Sequence, residues 1–503
     1  MQSNRNVGIV IVAVCTMIVV SPHGWCADPT LRMFIDDKHI AAADGIQRTL
    51  QQPQKLAEPV IRSSGPWEAN PYLFGTVIFD KQEQIYKAWY QSYNFGVPVS
   101  VRTPFLYATS QNGRDWTKPD LGLFDFNGSK QNNIVFQNSG FHDSYSLSVI
   151  KEPNETDVAR RYKMTYWDMS GPHVYGDGGM MIAVSPDGIH WSRSSQTPVL
   201  HSWELQESIS DVIDTMYDPV TGKFVTYAKG WANPFPDHRQ VVRTESTDLV
   251  NWSTPEVVIR HEHTLEDPQS YGMPVFEYEG VYLGLIRSYK NPGDETINVQ
   301  LAMSHDNRTW RRVADNATFL PTGESGQWDD GMIFVAPPVV RDNVVEFFYG
   351  GWDGPHDVSR RDAAIGLATL TRDRFVAVSA TKPTATLQTT KFSFEAGELN
   401  VNADATEGRI RVALFNADGE VIPGFGLDDS VPITADVLQQ PLQWNGSADL
   451  SSLAGRELSL LFEIQAGAKL FAYRTVPVPE PSAVWLIGAG LLTIALSRQS
   501  RSN

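Results

Sequence analysis

The 503-residue chain carries a formal charge of −17, with 42% hydrophobic and 20% charged residues, a composition that excludes a disordered protein. So acidic a chain is not built to neutralise polyphosphate, because nucleic-acid affinity comes largely from Lys and Arg displacing counterions. Its two cysteines, Cys15 and Cys26, lie near the N-terminus, so the body is expected to fold on a buried core without a disulfide.

The first element reads as a secretion signal. Arg5 precedes an uncharged run from Val7 to Val20, shorter than the roughly 20 apolar residues of a membrane span. Gly24 and Ala27 place cleavage around Cys26 and Ala27, so residues 1–27 are assigned as signal peptide.

A repeat dominates the next 350 positions or so. Its phrase is an apolar strand, a polar turn and an aromatic residue: Tyr107 to Trp116 (YATSQNGRDW), Ile182 to Trp191 (IAVSPDGIHW), Arg243 to Trp252 (RTESTDLVNW) and Leu301 to Trp310 (LAMSHDNRTW). A degraded fifth copy runs from Ile365 to Phe375 (IGLATLTRDRF). An aromatic-rich strand precedes each copy, and the spacing holds: Tyr86 to Trp116 is about 30 positions, Tyr162 to Trp191 about 29, the other three about 28. Asn112-Gly113 and Asp187-Gly188 suit hairpin turns, since both pairs tolerate positive φ. Four antiparallel strands per repeat of about 60 residues predict an all-β chain with a five-bladed β-propeller over 28–380. Two strand-like stretches between Leu31 and Gln54 are expected to complete the last blade.

After Ala380 the pattern becomes plain alternation, as in Glu398–Asn402, Ile410–Phe415 and Leu458–Ile464, which predicts a small β-sandwich over 381–475. The segment 476–503 follows. There Pro477-Val478-Pro479-Glu480-Pro481-Ser482 leads into an apolar run from Ala483 to Leu496, then Arg498 and Arg501. This arrangement resembles the PEP-CTERM sorting signal. The resemblance implies a Gram-negative-type envelope, processing by a membrane exosortase, transient membrane association through this segment, and delivery to the cell surface or extracellular matrix. A plain C-terminal anchor is the alternative.

The blade phrases resemble the five-bladed glycosidases of the invertase, levansucrase and arabinanase group, and the layout resembles family 32 glycosyl hydrolases. The likeness spans about Leu31 to Ala380 and implies an axial site that binds and cleaves carbohydrate. The Trp-Met-Asn-Asp-Pro-type nucleophile motif of that group is missing. The nearest segment, Pro66 to Tyr72 (PWEANPY), offers Glu68 as nucleophile or base. Phe141-His-Asp-Ser resembles the family's Phe-Arg-Asp-Pro, which implies that Asp143 contacts sugar hydroxyls. Glu207 or Asp211 falls near the family's acid.

Glycosidic cleavage needs two carboxyl groups, one to protonate the leaving oxygen and one to attack or activate water. Carboxylates expected at the starts of inner strands are Glu68, Asp143, Asp211 with Asp214, Asp267, and Asp329 with Asp330. Glu68, Asp143 and Asp211 are the candidate catalytic residues; His142, Asp214, Asp267, Arg287, Asp329, Asp330, Trp352 and His356 are candidates for binding substrate. Asp211 and Asp214, three apart on an extended strand, face opposite ways. Asp80 and Asp218 sit beside turns and are read as structural. Lys229 and Arg287 would suit phosphate or an acidic sugar. No His spacing points to zinc, so no metal or cofactor is expected beyond room for a structural calcium. The leading reading is a secreted glycoside hydrolase acting on poly- or oligosaccharide. A glycoside phosphorylase and a non-catalytic carbohydrate-binding surface protein are the alternatives.

Overall fold

The computed structural model describes residues 31–476 apart from 173–176, 203–207, 233–234, 261–266, 292, 359–360 and 396, and apart from the side chains of 232–237. The expected signal peptide, nearly all of the sorting segment, and Glu207 lie outside the described residues. Among those described, helix is confined to one turn at Val99–Arg102 and three short 3₁₀ turns; the rest of the regular structure is strand.

Residues 71–371 build antiparallel groups, each in chain order. The first is Pro71–Asp80, Ile85–Ser92, Phe105–Ser110 and Trp116–Thr117; the second is Tyr145–Lys151, Tyr162–Met169, Gly178–Ser185 and Ser192–Arg193. The third is Ser208–Asp218, Lys223–Ala232, Phe235–Ser246 and Glu256–Ile259. The next sheet has 11 strands and contains two such groups, within 269–320 and 332–371, joined by one parallel bridge between Ile297 and Met332. The leading strands lie against one another from the first group to the fourth, Met332–Val335 lies against Val281–Tyr289 and Ile297–Ser304 of the fourth, and it returns to Pro71–Asp80, so the groups close a circle. Packing on both faces explains why Tyr162–Met169 is buried along its whole length and does not alternate.

The repeated phrase is a self-bonded turn. In the second copy the Ser185 hydroxyl accepts the Gly188 amide at 2.9 Å, Asp187 accepts the Ile189 and His190 amides at 2.8 Å, and Trp191 Nε1 donates to the Gly188 carbonyl at 3.0 Å. Ser246, Asp248 and Trp252 repeat these bonds around Leu249. In four copies the same position is left-handed, Gly113, Gly188, Leu249 and Asn307, with φ of 73°, 80°, 65° and 63°; the fifth has its left-handed residue, Asp373 at 66°, one place nearer the closing aromatic. Each turn also meets its neighbour. Trp89 of the first group donates to the Gly188 carbonyl at 2.6 Å, and Tyr227 of the third to the Asn307 carbonyl at 3.2 Å. Gly113 lies against Phe348 of the fifth group, where a Cβ would come within 3.3 Å.

The segment 31–54 divides differently from the sequence expectation. Only Gln54–Lys55 joins the last group, pairing with Ala368 and Thr369, and Lys55 Nζ meets Asp329 at 2.6 Å. Leu31–Met33 pairs with Lys469–Val476, Ile40–Asp44 with Thr384–Thr389, and Ile46–Leu50 with Val376–Ala380. These three strands therefore belong to two further sheets, made mostly of residues 376–476, that enclose a core of Phe34, Phe394, Leu460, Phe462 and their neighbours. The physical reason is apolar surface: Leu31, Met33 and Ile35 bury themselves with Leu283, Phe347 and Phe375, filling the junction between those sheets and the fourth and fifth groups. Asp373 ties the same junction, accepting from Tyr278 Oη and Arg474 Nη2, both at 2.6 Å.

Candidate active site

At the end of the circle where the leading strands begin lies a cavity of about 510 Å³. Its walls are aromatic: Tyr72 and Phe74 from the first group, Tyr145 from the second, Tyr271 and Phe334 from the fourth and fifth, with Trp352 beside them. Three leading strands are irregular in register here, between Tyr72 and Thr76, Tyr145 and Ser148, and Ile209 and Ile213. Such bulges re-aim side chains where a regular strand would not. Asp211 sits inside the third of them and faces the cavity.

Asp211 accepts from Lys229 Nζ at 2.6 Å and from the Ser210 hydroxyl at 2.8 Å, both on Oδ1, and its side chain is 30% exposed. Burial raises its pKa, but the Lys229 charge and these hydrogen bonds outweigh burial and hold it below the usual aspartate value. Lys229 also lies over the Tyr271 ring, 4.4 Å from its centroid. Asp143 stands behind the wall, with Oδ2 at 3.3 Å from both Tyr93 Oη and Arg102 Nη1 and 3.4 Å from Tyr145 Oη. Its other oxygen is buried without a hydrogen-bond partner among the described residues. The Tyr145 phenol is pushed up by burial and then by the charges of Asp143 and Asp211, so Tyr145 links the two carboxylates electrostatically. His356 hydrogen bonds through Nε2 to Tyr271 Oη at 2.9 Å; burial, then Arg239, Arg361 and Lys229, push its pKa down to about 4. It is therefore neutral near pH 7.

The sequence-predicted residues thus separate. Asp211, Trp352 and His356 line the cavity, and Asp143 touches two of its tyrosines. His142 packs edge-on against Trp167, at 5.6 Å, beyond the wall. Glu68 is fully buried inside the first group, where Lys118 Nζ, the Ser64 hydroxyl, the Ser64 amide and Tyr90 Oη all reach it. Asp214 and Arg287 hold each other bidentately at 2.8 and 2.9 Å along the axis below the cavity. Burial raises the Asp214 pKa against the pull of Arg287. Asp329 is engaged by Lys55 and Tyr349, Asp330 accepts the Gly326 amide, and Asp267 is not part of the cavity wall. Asp218, read as structural, is buried under Tyr282 Oη at 2.8 Å. Sequence reasoning missed Arg239, Arg361, Tyr271 and Tyr72, all in the wall. Among the described residues no three His, Cys, Asp or Glu side chains are grouped to hold a metal ion.

Residues 477–499 match the family model described as the PEP-CTERM protein-sorting motif. The chain carries a PEP-CTERM sorting motif. That motif marks it for export, exosortase processing and surface sorting in a Gram-negative bacterium. No curated protein matches the chain. Among solved structures it is similar to one described as a glycoside hydrolase, at 16% identity and TM-score 0.47 over 64% of this chain and 92% of that one. It is also similar to a glycosyl hydrolase from Bacteroides ovatus, at 17% identity and TM-score 0.44 over 65% and 95%. A thermostable family-43 glycoside hydrolase aligns at 16% identity and TM-score 0.42 over 64% and 97%.

Proposed function

We propose that the five antiparallel groups are blades of a propeller, that the strands of 31–50 and 376–476 form a β-sandwich beside it, and that the axial cavity is the active site of a surface-sorted glycoside hydrolase acting on poly- or oligosaccharide. The circular contact of the leading strands supports the first part, since radial closure leaves no long open sheet edge. The observation that carries the functional reading is Asp211, an ionised carboxylate in an aromatic-walled cavity, with Asp143 beyond Tyr145. Aromatic faces suit the apolar faces of sugar rings.

In this reading a sugar stacks on Trp352, and Asp143 orients its hydroxyls through the Tyr93–Tyr145 edge of the wall. Asp211, kept ionised by Lys229, is the base that takes a proton from water as the water oxygen bonds the anomeric carbon, or is itself the nucleophile there; the C–O bond to the leaving group breaks, and a solvent water supplies the leaving oxygen's proton. Glu68 is given no chemical step, because all its bonds are made within the first blade.

A second reading, a carbohydrate-binding protein without catalysis, is favoured by one observation: among the described residues Asp211 is the sole carboxylate in the wall, where hydrolysis needs two. Release of new reducing ends from a glycan library separates them. The hydrolase reading expects release by the parent protein and a fall of at least about 100-fold in Asp211→Asn, with Asp143→Asn also impaired. Unchanged release by both variants removes these roles, and binding without release by the parent protein establishes the second reading.

A further inference from the structure

The chain is acidic overall, at −17, yet its axial cavity is lined by three cations, Lys229, Arg239 and Arg361, against the one carboxylate. Lys229 is matched by Asp211. Among the described residues no carboxylate pairs with Arg239 or Arg361. Arg239 Nη1 donates to Gln269 Oε1 at 2.8 Å, and its guanidinium lies over the rings of Tyr289 and Tyr271, 4.8 and 5.3 Å from their centroids. Arg361 Nη1 donates to the carbonyls of Pro355, His356 and Val358 at 3.0, 2.8 and 2.9 Å, and the guanidinium covers Trp352 at 5.0 Å. Among the described residues the Nε–H of each is buried with no acceptor. Burial lowers the Arg361 pKa, outweighing the opposite pull of Tyr271, Tyr72, Tyr93 and Asp357.

Two partly buried guanidiniums that face one cavity without an ion pair there gain from an anion that joins them. Guanidinium matches a carboxylate or sulfate with two parallel hydrogen bonds, and its flat face tolerates aromatic neighbours. We propose that Arg239 and Arg361 form an oxyanion subsite for a carboxylate or sulfate substituent of the sugar, so that the substrate is an acidic glycan containing uronic acid or sulfated residues. This rests on the axial cavity being the sugar site. The aromatic surroundings favour a singly charged group carried on a sugar ring over free phosphate. A compact dianion needs the third cation as well, and Lys229 is committed to Asp211.

Calorimetric titration of the full chain tests the subsite with matched probes: glucuronate against glucose, galactose 6-sulfate against galactose, and inorganic phosphate. The acidic member of each pair is expected to bind at least about 10-fold more tightly. That preference is expected to shrink to within about twofold in Arg239→Met/Arg361→Met, with affinity for the neutral sugar retained. Should the double variant fail to fold, Arg239→Lys and Arg361→Lys are expected each to weaken the preference while melting as the parent protein does. The preference is read from binding alone, so loss of the catalytic assignment leaves this result standing. Equal binding of charged and neutral sugars overturns the subsite, as does a preference that survives in the arginine variants. Phosphate displacing the acidic sugars, with cleavage that depends on phosphate, also overturns it and makes the site one for phosphorolysis.

Discussion

Asp211 and Glu68 are both acidic, both lie near the start of a leading strand, and both meet a lysine at 2.6 Å. They differ in what is left over. Glu68 is enclosed by Lys118, Ser64 and Tyr90, which occupy both of its oxygens. Asp211 takes Lys229 and Ser210 on Oδ1 alone, in a strand bulge that opens onto the cavity. A carboxylate whose lone pairs are all used joins strands together; one with an oxygen still facing an open cavity can take part in chemistry. Asp214 and Asp329 resemble Glu68, one spent on Arg287 and the other on Lys55 and Tyr349.

Exchanging the charge at the two positions sharpens this contrast most. Asp211→Asn is expected to lower glycan cleavage by about 10²–10⁴-fold while changing the melting temperature little. Glu68→Gln is expected to do the reverse, costing about 3–5 kcal/mol in denaturant unfolding because a fully buried carboxylate that serves Lys118, Ser64 and Tyr90 together is replaced by an amide. Comparable losses of stability at both positions would erase the distinction.

The Lys55–Asp329 pair, at 2.6 Å, fastens the one short strand from the N-terminal segment that joins the last group. Lys55→Met is expected to cost about 2–3 kcal/mol, less than the Glu68 change because Tyr349 still donates to the buried Asp329. A smaller effect still comes from His356. Its pKa is about 4 in the folded chain against 6.5 ordinarily, so between those values the unfolded chain holds more protons. Stability is therefore expected to fall by about 1–2 kcal/mol as pH drops from 6.5 towards 4, allowing for partial exposure, and His356→Gln should flatten that slope. At the low end, Ser185→Ala removes the hydroxyl that gathers one repeated turn and should cost about 1 kcal/mol.

The repeated turns were legible because their bonds are local. Ser, Asp and Trp at fixed spacing hold the turn themselves, and the left-handed position then docks on the next group, which keeps the spacing constant. The degraded fifth copy also has a left-handed residue, Asp373, shifted by one place, and its side chain has become an anchor for Arg474. The fate of 31–50 was not legible, since its partners lie more than 300 residues away and an edge strand carries no mark of which sheet it joins. Opposite orientations for Asp211 and Asp214 were expected from a regular strand; the strand is irregular between Ile209 and Ile213, and the two go to different partners. Arg239 and Arg361 belong to no repeated phrase, so only folding brings them together around Tyr271 and Trp352. Arg287, which sequence reasoning had singled out, is spent on Asp214 instead.

The most direct test is a crystal structure of the Asp211→Asn variant with an uncleaved acidic oligosaccharide bound. A sugar ring against Trp352, its linkage beside the substituted side chain and its charged group on Arg239 and Arg361, is the predicted result. An oligosaccharide lodged elsewhere, such as the cleft between Trp67 and Trp116, with the axial cavity empty, would contradict the account.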